Sequence, residues 1–105
     1  MSAGTDFDYR EIDDVIHGRV RLAVMAYLTG AGAADFNELK AKVGGTDGNL
    51  SVHLKKLEEA GYIAVKKGTQ GKRPLTTVTL SKKGRDAWIA YIRRMEELLR
   101  PNAAE

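Results

Sequence analysis

The chain has 105 residues, 43% hydrophobic and 30% charged, with a formal net charge of +3, the profile of one small globular domain with a modest core. No apolar run approaches the ~20 residues that cross a bilayer, and the acidic start MSAGTDFDYREIDD lacks the apolar stretch of a secretory signal. Cysteine is absent, which removes disulfides, thiolate metal sites and cysteine nucleophiles together and makes a cytoplasmic location the expectation.

Residues 1–9 read as a disordered tail. From Glu11 to about Leu28, Ile12, Val15, Ile16, Val20, Val24, Tyr27 and Leu28 recur with a helical period. Leu22, Met25 and Ala26 add apolar surface on the other side, so this helix is expected to be covered twice, the second time by another subunit. Gly18 predicts a bend or split near His17.

Gly30 and Gly32 end that helix, and Ala33 to Phe36 reads as a short extended piece. Asn37 is a capping residue for a brief helix through Val43, with Leu39 and Val43 inward. Gly44-Gly45 makes a turn. Thr46 caps the next helix, with Asp47 well placed against its dipole. Leu50, Leu54 and Leu57 form its buried stripe, and Gly61 stops it.

Two strand patterns follow, residues 62–67 (YIAVKK) and 75–80 (LTTVTL), joined by the glycine-bounded loop GTQGKRP with Lys72 and Arg73 at its tip. Ser81 caps a last helix that runs to about Arg100 and stops at Pro101. Its Trp88, Ile92, Met95 and Leu99, with Tyr91 and Leu98 alongside, recur at spacings of three and four as in a coiled-coil seam.

Helix, turn, helix and basic hairpin make the winged-helix plan. The segments IHGRVRLAVMAYL, DFNELKAKVGGTDGNLSVHLKKLEEAGYI and GKRPLTTVTLSKKGRDA resemble the short winged-helix transcriptional regulators of bacteria and archaea related to the MarR and ArsR groups. The likeness spans roughly residues 11–99 and implies a homodimer that binds operator DNA. Many relatives carry a proline where Gly18 or Arg19 stands, and the ArsR-type metal-ligand cysteines are missing.

The expected fold is therefore α+β and mainly helical: a winged helix-turn-helix over residues 10–100, with a two- to three-stranded antiparallel sheet. A C-terminal dimerisation helix occupies 81–100, and 101–105 is a tail. The expected dimer interface is Leu22, Met25, Trp88, Tyr91, Ile92, Met95, Leu98 and Leu99.

Charge is segregated along the chain. Residues 1–16 hold one basic and five acidic side chains, residues 46–85 nine basic and three acidic. Most charge runs are solvated faces, but segregation on this scale in so short a chain favours a polyanionic partner. With the leucines of helix 46–60 inward, ~100° per residue puts Gly48, Val52, Lys55 and Glu59 outward, flanked by Asn49, Ser51 and Lys56. Asn49 suits adenine edges and Val52 thymine methyls in a major groove; Lys55 and Lys56 reach guanine or phosphate. Gly48 allows close backbone approach. The bland alternatives are a stray surface valine at Val52 and local capping at Asn49. On the basic wing, residues 66–76, Lys66, Lys67, Lys72 and Arg73 read as contacts to backbone or minor groove, against the alternative of a charged, solvated turn.

Enzyme chemistry is not expected. His17 and His53 have no carboxylate at metal-ligand or triad spacing, and the glycines form no phosphate-binding pattern. His53 reads as a residue hydrogen-bonded within the fold. No metal or cofactor is expected. A small-molecule effector stays open, its pocket then falling at the dimer interface. Two functions remain: a sequence-specific regulator of double-stranded DNA, and a winged-helix protein-interaction module that happens to be basic.

Overall fold

A computed structural model describes residues 9–100. A 3-10 turn, Tyr9–Glu11, leads into α1 (Arg19–Ala31), β1 (Ala33–Asp35), α2 (Phe36–Val43), α3 (Asp47–Glu59), β2 (Ile63–Gln70), β3 (Arg73–Leu80) and α4 (Lys82–Leu99). Apart from Tyr9, the tails expected over 1–9 and 101–105 lie outside the described residues. No helix among the described residues is long and apolar enough to cross a membrane.

The helical pattern at the N-terminus overshoots. Residues 12–18 are turns rather than the first two turns of a helix, and α1 begins only after Gly18, whose backbone is extended. Asp13 explains the difference. Its Oδ1 accepts the backbone N–H groups of Val15 at 2.8 Å and Ile16 at 3.2 Å, offering a local alternative to the helical ladder. The segment still buries its apolar residues: Ile16 is fully buried, and Ile12 and Val15 pack on the core. The chain thus supplies from its own sequence part of the second cover expected from a partner. Met25, 0% exposed, belongs to the protomer core and leaves the expected interface set; Leu22 keeps part of its surface.

The short strand ends at Asp35, and this residue, not Asn37, caps α2, accepting from the Glu38 N–H at 2.8 Å. Thr46 and Ser81 cap α3 and α4 as the sequence predicts. At the other end of α3, Gly61 N–H bonds to Glu58 O at 2.9 Å and Tyr62 N–H to Leu57 O at 3.0 Å. That is a Schellman pair, with Gly61 at the left-handed φ of +84° which only glycine adopts cheaply.

The sheet is antiparallel in the order β1-β3-β2. Val78 on the central strand faces Ala34 on one side and Val65 on the other, and the row covers the helices with its buried face. The hairpin differs from the expected seven-residue loop: β2 and β3 stay paired out to Gln70 and Arg73, leaving only Gly71 and Lys72 to turn. Pro74 is accommodated because β1 pairs only with residues 77–79, so no third strand needs its missing N–H.

Helix α4 docks through its first turn. Ser81 N–H bonds to Tyr62 O at 3.0 Å and its hydroxyl to Gly61 O at 2.6 Å. Gly84 lies so close that a Cβ there would sit 2.1 Å from Tyr62 O. Beyond that point the helix packs part of the surface of Ala87, Trp88, Ile92 and Met95 on the core. Tyr91 is its one buried large side chain, and is therefore also withdrawn from the expected interface. Trp88, Ile92, Met95 and Leu98 are half-buried, whereas Ile89 at 43% and Leu99 at 74% are exposed.

Candidate nucleic-acid interface

Helix α3 is built to present one face. Leu50, Leu54 and Leu57 are buried on the core side. Gly48, Asn49, Ser51, Val52, Lys55, Lys56 and Glu59 are all exposed, with Val52 keeping 55% of its surface. The Thr46 hydroxyl accepts from Asn49 N–H at 3.1 Å, so the backbone of Asn49 is used by the cap while its side chain stays outside. At Gly48, a Cβ would meet nothing within 4 Å. The fold therefore does not require glycine at a helical position where it costs about 1 kcal/mol relative to alanine.

The basic residues fall into three groups rather than one strip. Lys55 and Ser51 share a cleft with Lys67 of β2, lined also by Phe36, Asp47, Glu58 and Thr76. Lys56 lies on the opposite flank of the helix, beside Arg21, Asp14 and Glu59. Lys72 and Arg73 stand at the hairpin tip, across a cleft from Asn37 and Asp35 of the neighbouring cap. Lys66 is exposed on the ribbon, one residue out of phase with Lys67.

Several supporting residues are not evident from the sequence pattern. Lys40 pairs with Asp47 at 2.6 Å and links α2 to the start of α3, although both are largely solvated and such pairs contribute little stability. Asn37 becomes a neighbour of the wing only through the packing of the α2 cap. Arg21, in the first turn of α1, has Nη1 2.9 Å from Nδ1 of His53 on α3. His53 is thus hydrogen-bonded within the fold, as expected. Burial, the Arg21 guanidinium and Lys56 together hold its imidazole below the usual histidine range. Between α1 and α2, the hydrogen bond from the Tyr27 hydroxyl to Glu38 pushes the phenol up.

The surface is rich in hydrogen-bond donors. Among the described residues no polar or charged side chain is buried, and no three metal-ligating groups converge. What the face offers is an amide, a hydroxyl, cations and one apolar contact on a rigid helix, with cations on a projecting ribbon nearby.

Residues 20–99 match the model of the winged helix DNA-binding domain. An uncharacterized protein of Methanocaldococcus jannaschii is 40% identical over 84 residues, covering 80% of this chain and 91% of that one. Among solved structures, the transcriptional regulator homologue from Pyrococcus horikoshii OT3 superposes with a TM-score of 0.82 at 22% identity, over 90% of this chain and 94% of its own. A structure assigned to the MarR family of transcriptional regulators, from Enterococcus faecalis V583, has a TM-score of 0.68 at 23% identity, over 78% and 74% of the two chains.

Proposed function

Because the chain belongs to the winged helix DNA-binding domain family, we propose that it is a transcriptional regulator that reads double-stranded DNA as a homodimer. Family and fold are those of regulators rather than enzymes. In this reading α3 enters the major groove, with Asn49 on an adenine edge and Val52 against a thymine methyl. Ser51, Lys55 and Lys56 meet bases or phosphates, and Gly48 lets the backbone come close. Lys66, Lys67, Lys72 and Arg73 hold the flanking backbone or minor groove.

The observation that carries the reading is the outward face of α3. An exposed valine among donors, on a helix capped at both ends, suits a groove whose floor alternates polar edges with methyl groups. The dimer is supported by α4, where Ile89 and Leu99 are exposed and Trp88, Ile92 and Met95, packed on the core by one side, keep the rest of their apolar surface open. Two copies of α3 related by a two-fold axis need a pseudo-palindromic operator, with half-sites about one helical turn, ~34 Å, apart.

Selection of duplexes from a random pool by the intact protein, followed by affinity measurement at two salt concentrations, tests this. The expected result is enrichment of one pseudo-palindrome, with affinity that falls as salt rises. A pool that emerges unenriched, with binding too weak to measure at low salt, would leave the fold as a protein-interaction module.

A further inference from the structure

Arg21 stands in the first turn of α1, yet its guanidinium reaches three ways. Nε donates to Val15 O at 2.5 Å, Nη2 to Asp14 O at 3.4 Å, and Nη1 lies 2.9 Å from Nδ1 of His53. A guanidinium only donates, so Nδ1 must be the bare, accepting nitrogen of a neutral imidazole, with the proton on Nε2. His53 follows Val52 directly on α3 and lies one turn beyond Asn49.

We propose that Arg21 and His53 are positioning residues: their bond fixes the rotation of α3 so that its outward face meets base edges in register. The proposal rests on the reading of α3 as the DNA-reading helix. The leucine stripe that seats this helix makes apolar contacts, which are not directional and tolerate a small roll about the helix axis. A planar guanidinium bound to two carbonyls is directional. Its footing is firm as well, because Asp13 holds the backbone of Val15 and Ile16 and takes the Tyr62 hydroxyl at the far end of α3. Bidentate readout needs side chains held within roughly 0.5 Å and 10–20° of the productive geometry, and a brace one residue from Val52 supplies that tolerance.

The charged groups facing the imidazole are Arg21 from α1 and Lys56 from its own helix, while Asp14 and Glu59 line the cleft beside them. Protonation of His53 would remove the acceptor and set a cation against Arg21. Burial and those two cations keep the imidazole neutral at pH 7, so the brace is closed there and opens in acid.

The test uses the full chain, the duplex selected by the wild type, and a scrambled duplex, at one fixed salt concentration. At pH 7.5, His53→Leu should lose roughly tenfold in affinity for the selected duplex, about 1.4 kcal/mol, with affinity for the scrambled duplex within twofold of wild type. His53→Asn, which keeps an acceptor near the position of Nδ1, should recover most of the preference. As pH is lowered through and below the ordinary histidine range the wild-type preference should fall, while that of His53→Asn stays flat; His17 is present in both. A wild-type preference that is level with pH, or a His53→Leu variant with the wild-type ratio, would overturn the proposal. The wild-type pH profile decides the matter even where a variant fails to fold. A wild type that prefers no duplex at all would instead bring down the DNA reading, and the brace with it.

Discussion

Asp13 carries more of the local structure than any other carboxylate described. One oxygen caps Val15 and Ile16, and the other accepts the hydroxyl of Tyr62, 49 residues away. Burial, that hydrogen bond and the carboxylate charge push the Tyr62 phenol up to about 12. A raised folded-state value means that the neutral phenol is favoured by folding. The resulting stability is fully present below pH 10 and is lost as pH rises toward 12. Tyr62→Phe should therefore cost about 1 kcal/mol near pH 8, and the gap between variant and wild type should narrow above pH 10. Urea denaturation at several pH values checks this; two parallel stability profiles would contradict it. Residue-scale chemistry was partly legible. Thr46 and Ser81 stood before helical patterns and proved to be caps. Asp35 and Asn37 are both good caps two residues apart, and what chooses Asp35 is the end of the β1–β3 ladder at the Asp35–Thr77 pair, which no local pattern contains.

Elements were legible where one face is buried and the other wet. The stripe of α3 and the seam of α4 both came from spacing. Two failures have different causes. Ile12, Val15 and Ile16 keep helical spacing, but they reach the core from a turn that Asp13 organises, and burial alone does not reveal backbone geometry. The outer half of the hairpin, Gly68 to Gln70 opposite Arg73 to Leu75, is mostly solvated, so it has no apolar alternation to announce a strand. The longer ribbon puts Lys72 and Arg73 at the end of a paired, extended element. In the DNA-bound reading these two cations sit on phosphates. Lys72→Ala with Arg73→Ala should weaken binding to every sequence and flatten the dependence of log K on log salt by nearly two counterions per protomer. An unchanged slope would mean that the wing does not touch the backbone.

At the scale of the whole molecule, the winged-helix order was readable because helix, turn, helix and hairpin follow one another with little inserted chain. The partner surface was read less well. Met25, on the second apolar side of α1, and Tyr91, alongside the seam of α4, were expected at the interface, yet both are consumed by the protomer core, while Ile89, outside the seam by spacing, is exposed. The dimer reading therefore rests on the outer strip of α4. Ile92→Glu with Met95→Glu should convert a dimer to a folded monomer, read by light scattering alongside circular dichroism. A folded variant that keeps the dimer mass would place the interface elsewhere. Monomers should also bind operator far more weakly, because two linked half-sites gain from effective concentration.

The central claim is that the outward face of α3 reads bases. The most direct measurement is the ratio of affinities for the selected operator and for a scrambled duplex, at one salt concentration, for wild type and for Asn49→Ala with Val52→Ser. Loss of a bidentate Asn49 pair removes ~1–3 kcal/mol of discrimination and the Val52 change adds to it, while the lysines and the wing continue to hold the backbone. The account predicts that the ratio falls by at least tenfold and that affinity for scrambled DNA barely moves. A double variant with the wild-type ratio would contradict it.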